Sequence, residues 1–167
     1  MASTASSASG LKWPLRLLAA IGPVVATSAL DSLATLPNIP GWYAGLAKPP
    51  LTPPNAVFGP AWTILFALMA FAVWRILSAA EAGPHRIRAL ALFYGQLALN
   101  AAWSWSFFGA RNPALGLVVI AALLAAITAT MAAFRPIDRV AAFLLAPYLA
   151  WVSFAAYLNL GVWWLNR

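Results

Sequence analysis

The sequence contains no cysteine and few charged residues. None of its 167 residues is Cys and only one is His, which excludes disulfides, thiolate metal sites and multi-histidine metal sites. We therefore predict no metal and no required cofactor. Charged residues make up 8% of the chain and hydrophobic residues 63%, whereas a soluble domain has roughly 25% charged residues. This composition predicts an integral membrane protein.

Acidic residues are the scarcest charged type. The three acids, Asp31, Glu81 and Asp138, lie at predicted helix ends or in turns. We therefore expect no buried carboxylate for a proton relay or a sodium site, which argues against a coupled pump. The single His85 lies in a predicted loop with no nucleophile beside it. The sequence therefore offers no nucleophile and base pair for conventional hydrolysis or acyl transfer.

Basic residues give the chain a formal net charge of +7. They occur singly at the ends of hydrophobic runs, not as the continuous basic stripe that a phosphate backbone requires. The basic charge therefore indicates membrane topology, and we expect a lipid bilayer and no nucleic acid as a partner.

Apolar runs of about 20 residues recur along the chain, and each is long enough to cross a hydrocarbon core of roughly 30 Å. We predict an all-α fold, a five-helix transmembrane bundle in a single domain over residues 12–167, preceded by a disordered Ser/Ala-rich tail over residues 1–11. The predicted helices cover about residues 14–36, 53–80, 89–108, 114–134 and 140–165.

The first and the last predicted helices each allow a second interpretation. The run that begins at Leu17 could instead be a secretory signal peptide cleaved near Ala29, but its length favours a membrane helix. The last helix is long for one membrane crossing, and Pro147 offers a bend.

A proline-rich segment joins the first two helices. Residues 41–66 contain Pro49, Pro50, Pro53, Pro54 and Pro60. An uninterrupted helix through this run is excluded, because proline lacks the N–H donor and restricts the residue before it. We predict that the loop over residues 37–52 is a structured lid.

Five crossings place the lid on the side of the membrane opposite the N-terminus. Basic residues are concentrated in cytoplasmic loops, and here one side carries three of them: Lys48, Arg111 and Arg167. The other side carries seven: Lys12, Arg16, Arg75, Arg86, Arg88, Arg135 and Arg139. The bias predicts a cytoplasmic N-terminus and favours an energised membrane such as the bacterial cell membrane.

Helical spacing places polar and aromatic side chains on shared faces beneath the lid. Candidate ligand contacts are Trp62 and Phe66 on the second helix, Asn100, Trp103 and Phe107 on the third, and Trp151, Ala155 and Leu158 on the fifth. A buried amide in hydrocarbon needs a partner, so these faces point into the bundle or a cavity. Two alternatives remain: aromatic core packing, and helix association through Asn100 and its neighbour Gln96.

Several motifs resemble those of the translocator protein family, also called tryptophan-rich sensory proteins, peripheral benzodiazepine receptors or TspO/MBR. They are WYAGLAKP and GPAWT in the lid and second helix, GQLALNAAW and FFGAR around the third, and PYLAWVSFAAYLN in the fifth. The resemblance covers nearly all of residues 42–159. It implies a five-helix bundle, commonly a homodimer, with a pocket beneath the first loop that binds porphyrins, sterols and benzodiazepine-type ligands.

Carried over by motif position, the resemblance also implies site residues and functions. The pocket would comprise Trp62, Asn100, Trp103, Trp151, Phe154, Ala155 and Leu158. The implied function is a porphyrin receptor or carrier in tetrapyrrole sensing or transport. The alternatives are light-dependent porphyrin degradation, with Trp62 and Trp151 as the oxidisable indoles, and sterol or lipid transport.

The chain departs from the family pattern at a few positions. Leu51 and Ala56 replace two lid tryptophans, and Phe66 stands where tyrosine is common. The cholesterol-recognition pattern is broken after Leu158, which argues against specific cholesterol binding.

Overall fold

The computed structural model describes residues 12–79 and 83–167. The predicted tail at residues 1–11 and Glu81 lie outside this part of the chain. The described part is helical, and six α-helices follow one another: α1 (Trp13–Thr35), α2 (Asn55–Ser78), α3 (Pro84–Ser104), α4 (Pro113–Phe134), α5 (Arg139–Leu144) and α6 (Ala146–Leu165). Since α5 and α6 form one interrupted run, the fold is the all-α five-helix bundle that the sequence predicts.

Four helical runs are long and apolar enough to cross a membrane: residues 13–43, 55–78, 113–134 and 139–165. The remaining long helix, α3, is the most polar of the five. It packs against α1 and α4, while α2 packs against α1 and α5, and α4 packs against α6. Large apolar side chains such as Leu18, Ile64 and Val118 point outward, as a lipid-facing surface requires.

The predicted lid is partly helical, which corrects the expected loop over residues 37–52. A 3₁₀ turn (Leu36–Asn38) and a π-helical segment (Ile39–Tyr43) continue directly from α1. Pro37 and Pro40 each stand in the first turn of a new short segment, where the missing N–H donor costs nothing. Irregular backbone is therefore confined to residues 44–54.

The third helix begins at Pro84, five residues before the predicted start at residue 89. The residues between the predicted helices, up to Arg88, were expected to be loop because this stretch is polar and basic. Pro84 is favourable in a first helical turn, and the Arg86 side chain donates a hydrogen bond to the Ala79 carbonyl across the turn (3.0 Å). The first turn of α3 was therefore predicted to be loop because its residues are polar.

The last predicted helix is interrupted at Leu145. The α5 segment starts at a cap formed by Asp138, whose Oδ1 accepts a hydrogen bond from the Ala141 amide (3.0 Å). The next segment, α6, starts with Pro147 in its first turn. A proline there cannot donate to the preceding turn, which separates the two segments.

The buried core contains two neighbouring clusters. The larger one fills the centre of the bundle and includes the fully buried rings of Phe93, Phe134 and Tyr148. The smaller one lies beneath the lid and is built on Tyr43, Phe107 and Val162. Between these clusters and α1 the structure leaves a cavity.

Candidate functional site

A cavity of about 430 Å³ opens beneath the segment that follows α1. It lies between α1, α2, the end of α3 and α6. Its lining residues come from these four helices, from the helical extension of α1 and from the π-helical segment Trp105–Gly109 that follows α3: Ser28, Asp31, Ser32, Thr35, Leu36, Ile39, Tyr43, Asn55, Ala56, Phe58, Gly59, Trp62, Thr63, Phe66, Trp103, Ser104, Phe108, Trp151 and Ala155.

Aromatic rings form two walls of the cavity. Trp62 projects from α2, with its ring centroid 5.4 Å from that of Phe66 and 6.2 Å from that of Tyr148. On the other wall, Trp151 of α6 meets Phe58 of α2 edge-on at 5.9 Å. Each tryptophan is held in place by ring contacts, so the walls are preformed for a flat apolar ligand.

The third wall, on α1, is polar. Ser28, Asp31, Ser32 and Thr35 line the cavity at helical spacing, so they form one stripe on an otherwise apolar helix. Asp31 Oδ2 accepts a hydrogen bond from Asn100 Nδ2 at 2.7 Å. Asp31 Oδ1 is buried and accepts no hydrogen bond from the residues that the structure describes.

This position of Asp31 corrects a prediction. We expected no buried carboxylate, because Asp31 was placed at a helix end. The helical run was expected to end at residue 36, but 3₁₀ and π-helical segments continue it to Tyr43, so Asp31 lies within a membrane-spanning run. The exclusion of carboxylate chemistry from the bundle was therefore wrong.

Asn100 connects Asp31 to the core. It is fully buried, and its Oδ1 accepts a hydrogen bond from Tyr148 Oη at 3.4 Å. Asn100 lies behind the cavity wall and is absent from the lining. Its amide fixes the orientation of the Asp31 carboxylate.

A second buried amide, Asn159, joins three helices. Its Oδ1 accepts a hydrogen bond from Trp103 Nε1 on α3 (3.1 Å), and its Nδ2 donates to the Pro113 carbonyl at the start of α4 (2.8 Å). Gly116 leaves room for this amide, because a Cβ there would lie 2.7 Å from Asn159 Oδ1. The network holds the Trp103 ring at the cavity.

The irregular part of the lid, residues 44–54, is attached to α6 rather than hanging free. Asn166 exchanges two hydrogen bonds with Ala47: the Ala47 amide donates to Asn166 Oδ1 (3.0 Å), and Asn166 Nδ2 donates to the Ala47 carbonyl (2.9 Å). Tyr157 Oη donates to the Pro50 carbonyl (2.9 Å). Pro49 packs so closely on Gly161 that an added Cβ would lie 2.5 Å from the proline ring.

The nine candidate ligand contacts fall into two groups in the structure. Five of them line the cavity: Trp62, Phe66, Trp103, Trp151 and Ala155. Four do not: Asn100 lies behind Asp31, Phe107 is buried in the cluster under the lid, Phe154 packs between Trp151 and Tyr157, and Leu158 is buried.

The reasoning from sequence missed the polar wall on α1. Asp31 was the detectable signal, since an acid inside an apolar run with Ser28 and Thr35 at helical spacing indicates an inward-facing stripe. Tyr43 was missed because residues 39–43 were predicted to be loop. In the described ranges, 12–79 and 83–167, no cluster of three metal-ligating side chains occurs.

Comparison with known proteins gives a consistent result. The model of the TspO/MBR family matches residues 19–165. The chain is 40% identical over 152 residues to the tryptophan-rich protein TspO of Archaeoglobus fulgidus, covering 91% of this chain and 97% of the relative. It is 38% identical to the tryptophan-rich sensory protein of Cereibacter sphaeroides, over 93% of this chain and 94% of the relative. It is 42% identical to the human translocator protein, over 73% of each chain.

Proposed function

Because the chain belongs to the TspO/MBR family of membrane proteins, we propose that it is a membrane receptor or carrier that binds a porphyrin, such as protoporphyrin IX, in the cavity under the lid. The observation that carries the proposal is that two indoles from different helices, Trp62 on α2 and Trp151 on α6, line one cavity. A flat macrocycle between them would bury its faces against aromatic rings. The ligand would serve in tetrapyrrole sensing or transport.

The carboxylates of the porphyrin would point toward the lid. Lys48, Arg111 and Arg167 are the basic residues on the lid side of the membrane, and Lys48 Nζ lies 4.7 Å from the centroid of the Tyr43 ring, which lines the cavity. Asp31 on the opposite wall would repel a carboxylate. The charges therefore favour one orientation of the macrocycle.

Protoporphyrin IX titration into protein in lipid nanodiscs, followed by the shift of its Soret absorbance, tests the proposal. A Trp62→Phe, Trp151→Phe double variant should raise the Kd by about 3- to 10-fold, since each aromatic pair contributes roughly 0.5–1.5 kcal/mol beyond burial. A Trp163→Phe, Trp164→Phe double variant removes the same number of indoles outside the cavity and should leave the Kd unchanged. Equal affinity of all three proteins would refute binding between the indoles.

A second candidate function is light-dependent porphyrin degradation. The same two indoles favour it, because a bound photosensitiser would lie against oxidisable rings. Illumination with oxygen should then convert protoporphyrin to a new product in the wild type but not in the Trp62→Phe, Trp151→Phe variant. If both proteins yield the same product at the same rate, the indoles take no part in the reaction.

A further inference from the structure

Asp31 is an ionisable group inside a membrane-spanning helix. One of its oxygens is held by Asn100 at 2.7 Å, and the other, Oδ1, is buried with no partner among the described residues. A buried carboxylate oxygen without a partner is costly, and an ionisable side chain in a membrane span commonly serves as a counter-ion. Asp31 lines the cavity, so a cationic ligand there can pair with the charge of its carboxylate.

Three basic side chains of the described chain, Arg75, Lys48 and Arg111, have other partners. The ion pair of this part of the protein joins Arg75 to Asp138 (2.8 Å) and does not include Asp31. On the lid side, Lys48 Nζ donates to the Leu46 carbonyl (3.1 Å), and Arg111 Nε donates to Asn38 Oδ1 (3.0 Å). Asp31 therefore has no charge partner within residues 12–79 and 83–167.

The rest of the cavity fits the same ligand charge. Phe58, Trp62, Trp103 and Trp151 surround the space in front of the polar wall. The face of an aromatic ring attracts a cation, and a carboxylate among such rings is the chemistry that recognises ammonium groups. Ser28 and Ser32 on the same wall add hydroxyl acceptors for N–H donors.

We propose that this cavity recognises organic cations, namely amphipathic molecules with a flat apolar body and a protonated amine, and that Asp31 is their counter-ion. The apolar body lies against the aromatic rings of the cavity, and the ammonium group pairs with the Asp31 carboxylate. This specificity goes beyond porphyrin binding, because it requires the ligand charge opposite to that of a porphyrin carboxylate.

Three pyrene probes with one ring system and different charges test the proposal: 1-pyrenemethylammonium, 1-pyrenemethanol and 1-pyrenecarboxylate. Protein in phosphatidylcholine nanodiscs is titrated with each probe, and energy transfer from tryptophan to pyrene gives the Kd after subtraction of the signal from empty nanodiscs. The wild type should bind the ammonium probe about tenfold or more tightly than the alcohol, as expected for a charge-assisted hydrogen bond, and the carboxylate least tightly.

The variant Asp31→Asn keeps the shape and removes the charge. It should abolish the preference for the ammonium probe while leaving the Kd of 1-pyrenemethanol within about twofold, whereas Asp31→Glu should retain the preference. Asp138→Asn, which removes the same charge outside the cavity, should behave as the wild type. If Asp31→Asn does not fold, the proposal is tested by the order of the three affinities in the wild type and by whether Asp31→Glu retains the preference for the ammonium probe.

A wild-type preference below about twofold overturns the proposal, as does an undiminished preference in folded Asp31→Asn. Binding of 1-pyrenemethanol reports the integrity of the cavity independently of charge. Loss of protoporphyrin binding with retained selection for the ammonium probe would therefore refute the proposed function and leave this inference standing, and the reverse result would do the opposite.

Discussion

Asp138 lies in the turn before α5, outside the membrane-spanning runs, and combines two roles at the scale of a single residue. Its Oδ1 caps α5 through the Ala141 amide, and its Oδ2 pairs with Arg75 of α2. Burial alone raises the pKa of Asp138, but the hydrogen bonds from the Ala141 amide and Arg75 and the charge of Arg75 outweigh burial, so the pKa lies below its ordinary value.

A carboxyl group with a lowered pKa stabilises the folded state when it is ionised, and that contribution is lost as the pH falls through the folded-state pKa. We expect the melting temperature in detergent to drop between about pH 5 and pH 2. Asp138→Asn keeps a capping oxygen and should flatten this dependence. Asp138→Ala should also lose the cap, worth about 1 kcal/mol at neutral pH. Identical pH profiles for wild type and Asp138→Asn would assign the dependence to another group.

Gly161 is a second residue whose role depends on a single contact. Its missing side chain admits Pro49 of the lid. Gly161→Ala should destabilise the protein by about 1–3 kcal/mol or displace the lid, as overpacking does. Gly95→Ala, in another helix with open space around it, is the matched control and should be neutral or stabilising. Chemical denaturation and protease cleavage within residues 44–54 measure both effects, and similar behaviour of the two variants would contradict the close approach.

The sequence indicated which helix faces point inward better than it indicated what surrounds each residue on those faces. Trp62 and Trp151 line the cavity, although helical spacing alone did not distinguish a cavity wall from aromatic core packing. Phe107 and Leu158 could not be separated from them, since spacing defines a face but not which side chains a neighbouring helix covers. Asp31 was misjudged because the helical run was expected to end at residue 36, whereas short 3₁₀ and π-helical segments continue it to Tyr43 and place Asp31 well inside it.

At the scale of elements, one amide joins α3, α4 and α6. Asn159 Oδ1 accepts a hydrogen bond from the Trp103 indole, and Asn159 Nδ2 donates one to the Pro113 carbonyl. The side chain therefore fixes how closely three helices pack at the lid end of the bundle. Helix association in a membrane relies on such hydrogen bonds, because lipid removes the hydrophobic contrast between helices.

Asn159→Ala should destabilise the folded protein by about 1–3 kcal/mol, because it leaves the Trp103 indole N–H without its acceptor and removes the hydrogen bond to the start of α4. It should also loosen Trp103 and weaken binding in the cavity. Trp103→Phe removes the donor alone and should cost less. Unfolding in mixed detergent measures both variants, and equal stability of wild type and Asn159→Ala would show that water or another group replaces the amide.

The elements could be predicted to within a few residues wherever apolar runs were long. The errors occurred where proline or charge stood at a helix start, at Pro84 and between Pro37 and Pro40. Proline is compatible with the first helical turn and incompatible with the interior, so the residue alone does not distinguish a loop from a new helix.

For the whole molecule, membrane orientation is the property that composition predicts and that contacts between helices do not reveal. The basic residues are concentrated at the ends of helices opposite the lid, which predicts a cytoplasmic N-terminus. The predicted homodimer also concerns the whole molecule and stays a prediction.

The cysteine-free sequence makes orientation measurable. Leu51 is 81% exposed in the lid, and Pro136 is exposed in the turn between α4 and α5. A membrane-impermeant maleimide applied to intact cells should label Leu51→Cys and leave Pro136→Cys unlabelled until the cells are opened. The reverse pattern would invert the topology.

The attachment of the lid to α6 also has a consequence in time. Pro50 and Ala47 hydrogen-bond to residues 107 and 119 positions later in the chain. During synthesis, α1, the lid and α2 are made several seconds before Tyr157 and Asn166, at about 5–20 residues per second. The nascent chain therefore passes through a stage in which Trp62 and the polar wall on α1 are present, but Trp151 and the residues that anchor the lid have not yet been made.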